Sequence, residues 1–422
     1  MNRLSVRGAL LVAALVVAGC SSSASESPDT TIAVDTSAVQ WLPCGDIECA
    51  RIEIPFTPSD VEGKKFAVAA YRRASSEKSA PIVFMLPDRV YGMTARDLVE
   101  SAPLHLGARS RDYTLISLSP RGSADSPLTV TDVNVLSSLD EADDVVAVQS
   151  VLNIKKAAVM GWGTGATAAT ALVMTYPSRV TAAVVDAPQD PAVSMVRQAE
   201  KQLESMQAAV ETAMRWCASH LSCPTNANVA KSLSKFKTNL RLGRLGEGID
   251  FDTVARAATT ALSNGDPQSL FVAIDKASNG DGTQLLALAG PLPTPDSSLP
   301  TCANVTTSAA ARISSLFATF TAKKTRHFYM GSEATTYGFC SSLPATQRPI
   351  GAVVPEEEAQ DVNVFVTIAR GDPVVPPFVP RTMAKRMGWT YKSVYANQHL
   401  VVGVDQAITE AAFDFLQTTL QK

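Results

Sequence analysis

The stretch VMGWGTGATAAT, residues 159–170, decides how this chain is built. The run KAAVMG (156–161) before it is almost wholly apolar, as a strand covered on both faces must be. The run ATAATALVMTY after it carries small and apolar residues suited to a helix packed closely on that strand. Between them, WGTG is a glycine-rich turn. A buried strand that hands the chain through such a turn to a helix is the repeating unit of an α/β sheet.

Outward from that turn the same alternation recurs. Candidate strands are 51–54, 66–71, 81–86, 113–118, 156–161, 182–186, 362–368 and 391–396. Helical spacing predicts helices over 93–107, 138–152, 165–176, 379–387 and 404–420. The fold class that follows is α/β, a mostly parallel, doubly wound sheet. Between about Asp190 and Val354 long β-branched runs disappear. Helical spacing takes over, as in VSMVRQAEKQLESMQAAVETAMRWC, broken by turn clusters such as LSNGDPQ and GPLPTPDSSLP. We read 41–189 and 355–422 as the sheet-bearing core and 190–354 as a helical cap insertion. Such an insertion would sit over the C-terminal edges of the parallel strands, where open α/β sheets bind ligands.

The turn itself has the strand–G-x-nucleophile-x-G–helix context of a nucleophile elbow, with Gly161 and Gly165 as the small flanking residues. The middle position is Gly163, which has no side chain to attack with. A register shifted to Thr164 would put Trp162 where a small residue is required. A side chain at this turn is normally held at positive φ, at a cost of order 1–3 kcal/mol. Glycine reaches that region freely, so Gly163 removes the nucleophile and the strain together. A glycine-rich turn that never carried a nucleophile would look the same in isolation. Trp162, beside it, either walls a pocket or packs beneath the turn.

Several further segments are similar to one family. WLPCGDIECARIEIP at the start, SPRGSADSP at 119–127, YPSRVTAAVVDAPQDP, LPTCANV, GFCSSLPA, ARGDPVVPP and YANQHLVVG together resemble the secreted actinobacterial tripeptidyl aminopeptidases and proline-iminopeptidase-like serine peptidases. The resemblance runs from about Trp41 to the C-terminus and implies an α/β-hydrolase fold. It places Asp372 at the acid position of a catalytic triad and His399 at the base position, in the chain order of that fold. It also implies an oxyanion loop of His-Gly-Gly-Pro-Gly type after the third of the candidate strands. This chain has MLPDRVYG there: Pro87 lacks an N–H and Asp88 would oppose a developing negative charge. The backbone N–H of Thr164 is the remaining candidate donor. The other histidines carry little: His105 falls in a predicted helix, His220 between close cysteines, and His327 after a basic stretch.

The N-terminus, MNRLSVRGALLVAALVVAGC, has a basic start, an apolar run too short to span a bilayer as a mature helix, and small residues before Cys20. It resembles the lipobox of bacterial lipoproteins, in which the cysteine is acylated. The expected parts are a signal peptide at 1–19, lipidation at Cys20 and a flexible tether at 20–40, rich in Ser and poor in apolar residues. The mature protein would then lie on the extracytoplasmic face of the cell membrane, held by lipid. Losing Arg3 and Arg7, the only charges before Cys20, takes the formal charge from −3 to −5. With no basic run, nucleic acid is not an expected partner. Cys44, Cys49, Cys217, Cys223, Cys302 and Cys340 remain, an even number suited to an oxidising compartment. Proximity favours Cys44–Cys49 and Cys217–Cys223, leaving Cys302–Cys340, and the resemblance supports the last pair. A metal site is the rival reading of these cysteines, but no histidine or second close pair sits where a tetrahedral site needs one. Neither a metal nor a cofactor is expected.

Three functions fit these residues. The first is a pseudoenzyme that binds a peptide, another ligand or an envelope partner in the old cleft. The second is an active hydrolase, a peptidase or esterase, in which Asp372 and His399 activate water directly or serve another, unidentified nucleophile. The third is an architectural envelope protein. Under the first, His399 would be free to bond ligand or water.

Overall fold

The computed structural model describes residues 39–57, 62–90, 92–128, 135–291, 295–323, 331–344 and 348–421. The expected signal peptide at 1–19, the expected lipidation site Cys20, the expected tether as far as residue 38, and His327 lie outside them.

Among the described residues nine strands form one sheet: β1 (Leu42–Pro43), β2 (Glu48–Pro55), β3 (Lys65–Arg73), β4 (Ile82–Leu86), β5 (Thr114–Leu118), β6 (Ala157–Trp162), β7 (Val180–Asp186), β8 (Asn363–Ala369) and β9 (Thr390–Val394). Their order is β1-β2-β3-β5-β4-β6-β7-β8-β9. From β5 to β9 every neighbour is parallel, while β1, β2 and β3 add an antiparallel edge. The chain runs outward from β4 to β5 and then returns to place β6 on β4's other side, so a switch point opens between β4 and β6.

Helices cover both faces: α1 (Ala95–Glu100), α2 (Ala102–His105), α3 (Ser138–Val151) and α4 (Thr164–Thr175) come before the insertion. The helix expected over 93–107 is two, parted at Ser101, because Pro103 in the first turn of α2 has no N–H to continue a ladder. Among the described residues eight more helices follow β7: α5 (Met195–Ser219), α6 (Val229–Arg241), α7 (Phe251–Ser263), α8 (Pro267–Ser278), α9 (Thr283–Ala289), α10 (Pro295–Ala303), α11 (Thr307–Lys323) and α12 (Gly331–Cys340). The chain then returns to the sheet through β8, α13 (Phe378–Met387), β9 and α14 (Gln406–Leu420).

Strand periodicity divides the core in two. Phe84, Leu86, Val159 and Val185 face α3, α4 and α13, whereas Val83, Met85, Met160 and Val184 face α1, α2 and α14. The helices after β7 bury a third core of their own, with Leu203, Phe236, Phe271 and Phe317 among its members. The bidentate pair of Arg386 on α13 with buried Asp190, at 2.8 and 2.9 Å, ties the start of that region back to the sheet. Disulfides join Cys44 to Cys49, Cys217 to Cys223 and Cys302 to Cys340.

Candidate functional site

The C-terminal ends of the parallel strands bring four segments together. After β6 the chain turns at Gly163 with φ +51° and ψ −111°, and α4 begins at the next residue. The flanking glycines are there for contact. A Cβ on Gly161 would come 2.7 Å from Ala166 N, and one on Gly165 would overlap the Leu86 carbonyl at the end of β4. Only glycine lets the helix sit this close to both strands.

The space that a side chain at 163 would fill is taken. A Cβ built there would overlap Oδ2 and Cγ of Asp88, which reaches over from the loop after β4. Sequence reasoning treats this position as vacant and Asp88 only as an obstacle to an oxyanion. The structure corrects both points: the Asp88 carboxylate occupies the space that a side chain at 163 would take. Asp88 Oδ1 accepts from Thr164 Oγ1 at 3.1 Å and from Val90 N at 3.1 Å, so the carboxylate is fixed from beneath.

Asp88 Oδ2 lies 3.1 Å from His399 Nε2, and on the other side of the ring Nδ1 lies 2.9 Å from Asp372 Oδ2. The expectation of a histidine free to bond ligand is therefore wrong. All three side chains are nearly closed to solvent, at 1 % for Asp88, 2 % for His399 and 1 % for Asp372. An acidic side chain beside each ring nitrogen favours a proton on both, which describes the imidazolium. Burial by itself depresses a charged histidine, but Asp372 and then Asp88 outweigh it and push the group up to about 10. Burial raises Asp372, opposed by His399 and by the N–H groups of Val374 and Val375, which bond its Oδ1 at 2.7 and 2.9 Å.

The histidine loop after β9 is held at three points. His399 N donates to Ser263 O at the end of α7, at 2.9 Å. Asp186 Oδ2, at the tip of β7, accepts from Val401 N and Val402 N, both at 2.7 Å. Trp162 Nε1 donates to Val402 O at 3.0 Å. Trp162 is thus no wall of a pocket. It follows Ala158 and Met160 onto the face of α14 and is 2 % exposed. Strand alternation over AAVMGW carries that signal in the sequence. Asp186, which sequence reasoning passes over, is pushed up to about 7 by burial, against the two N–H bonds it accepts.

Above this floor is a cleft of about 360 Å³ between the strand ends and helices α5, α7, α10 and α12. Asp88, Gly163, Thr164 and His399 form its base, Met195 and Val375 contribute apolar wall, and Arg256 reaches in from α7. Among the described residues no group of His, Cys, Asp and Glu is arranged to hold a metal ion.

Residues 96–405 match the family model described as alpha/beta hydrolase fold. Solved structures to which the chain is similar include a thermophilic esterase from Thermogutta terrifontis, at 13 % identity and TM-score 0.41, covering 87 % of this chain and 98 % of that one. Another is Rv0554 from Mycobacterium tuberculosis, at 16 % identity and TM-score 0.43, covering 87 % and 98 %. A third is an alpha/beta hydrolase from Novosphingobium aromaticivorans, at 14 % identity and TM-score 0.44, covering 89 % and 100 %. No curated protein matches the chain.

Proposed function

Since the chain belongs to the alpha/beta hydrolase fold family, we propose that it is a catalytically retired member that binds a ligand in the cleft instead of hydrolysing one. One observation carries this reading: the Asp88 carboxylate fills the space of a side chain at 163 and bonds the histidine that would have served it.

The chemistry follows from that contact. A general base must be deprotonated to accept a proton, and a histidine pushed up to about 10 holds its proton at pH 7. The same argument weakens the water-activating hydrolase, which needs the same free imidazole. On the oxyanion side Pro87 offers no N–H, and loss of one such donor typically costs about 2.7–4 kcal/mol of transition-state stabilisation. A wholly architectural role leaves the polar-lined cleft without a use. In this reading the scaffold derives from the secreted peptidases that its motifs resemble. The protein is tethered by lipid at Cys20 on the extracytoplasmic face of the membrane, where the three disulfides suit the redox conditions.

The test is a fluorophosphonate probe together with p-nitrophenyl ester turnover on the purified mature chain. We expect neither labelling nor turnover. Ester hydrolysis that disappears in His399→Ala would overturn the proposal. Retention of the wild type in the membrane fraction, and release of Cys20→Ala, would test the anchor separately.

A further inference from the structure

We infer that the cleft is built to take an organic monoanion, a carboxylate with an apolar tail, and that Arg256 is the residue that binds its charged end. This rests on the binding-protein reading above and names the ligand class of the same cleft.

Arg256 is positioned in advance. Its Nε donates to Asp252 Oδ2 at 3.0 Å, and its Nη1 donates to the carbonyls of Ala289, Gly290 and Pro291 at 2.7, 2.9 and 3.1 Å. These bonds hold the guanidinium plane between Asp252 and the end of α9. Among the described residues Nη2 takes no hydrogen bond, and it is not sealed from solvent although the residue lines the cleft. Little side-chain entropy is then left to lose when a ligand binds.

The surroundings select for charge and shape. Thr259 and Thr260 lie three and four residues on from Arg256, on the same helix face, and line the same cleft. Among the described residues neither hydroxyl has a hydrogen-bond partner, so both can donate beside the guanidinium. Gln202 of α5 adds a carboxamide. An arginine flanked by hydroxyl donors suits the planar oxygens of a carboxylate. At the base of the cleft the His399 ring is held between the carboxyl groups of Asp88 and Asp372. The remaining wall is apolar, with Met195, Val374 and Val375, and suits an aliphatic tail.

The experiment is isothermal titration calorimetry of the full mature chain with hexanoate and with hexanamide, which share a tail and differ in charge. Hexanoate should bind, more weakly as salt is raised, and hexanamide at least tenfold more weakly. Arg256→Gln should lower hexanoate affinity at least tenfold. Because Arg256 also caps α9, the double variant Thr259→Val/Thr260→Val provides an independent reading, with an expected loss of severalfold. Equal binding of acid and amide, no binding of hexanoate, or unchanged affinity in the double variant would overturn the inference. Fluorophosphonate silence with no uptake of hexanoate would remove the anion site and leave the retired-enzyme reading intact. Labelling by the probe together with hexanoate uptake would do the reverse.

Discussion

At the scale of single residues, Gly163 and Asp88 are one feature. The glycine accepts φ +51° without strain, and its missing side chain leaves the room into which Asp88 extends. Gly163→Ser should therefore fail in two ways, through backbone strain of order 1–3 kcal/mol and through overlap with the carboxylate. Urea unfolding should show Gly163→Ser destabilised and Asp88→Gly/Gly163→Ser recovering part of the loss, because the second change clears the space. A single variant as stable as wild type would mean that Asp88 does not occupy that volume. Removing the charge alone is a separate probe. Asp88→Asn should move the His399 titration, followed by NMR of the ring protons, down from about 10 toward the ordinary histidine range. The glycine turn was legible in the sequence, and so were Asp372 and His399 as residues that belong together. The occupant was not, since Asp88 reaches Gly163 only through the pairing of β4 with β6, a tertiary fact that local pattern does not encode.

At the scale of elements, the site depends on how loops and helix ends are secured. Asp186→Ala would leave the N–H groups of Val401 and Val402 buried without their shared acceptor. An unsatisfied buried group costs about 1–3 kcal/mol, so a loss of a few kcal/mol is expected by denaturant unfolding; Asp186→Asn, which keeps an acceptor oxygen, should lose less. Equal losses in the two variants would contradict the role assigned to Asp186. Helix α3 shows what pattern reading misses. It opens with Asp140, Glu141, Asp143 and Asp144, all buried. Arginines from three distant segments meet them: Arg121 bonds both oxygens of Asp144 at 2.7 and 2.6 Å, Arg89 lies 2.6 Å from Glu141, and Arg348 bonds Asp140 and Asp143. Helical spacing places the helix over 138–152 to within a residue of its observed end, and the structure starts it with a capping box of Ser137 and Asp140. Nothing local tells that its acidic turn points inward, since the counter-charges arrive by tertiary contact. Arg121→Met should cost about 3–5 kcal/mol, the usual result of stranding a buried charge. A loss under 1 kcal/mol would show that the cluster relaxes or takes up protons instead.

At the scale of the whole molecule, the buried ionisable groups act in one direction. Burial raises Glu141 from 4.5 to about 7, Asp144 from 3.8 to about 6 and Asp186 from 3.8 to about 7, while the paired carboxylates raise His399 from 6.5 to about 10. For each group the folded state binds more protons than the unfolded state between the two values. Stability must therefore fall as pH rises through that interval. For the carboxylates the advantage is full below about 4 and gone by about 7; for His399 it is full below about 6.5 and is lost on approach to about 10. The midpoint of thermal unfolding should be higher at pH 5.5 than at pH 8.5, the opposite of a protein whose carboxylates are held ionised by their partners. Asp88→Asn weakens the histidine's hold on its proton, so its decline between pH 7 and 9 should be shallower than that of the wild type, while the decline between pH 5 and 7 is unchanged. A wild-type midpoint that rises from pH 5.5 to 8.5 would show that the site histidine is not held charged by its two aspartates, and an unaltered slope in Asp88→Asn would show that Asp88 is not one of the groups holding it.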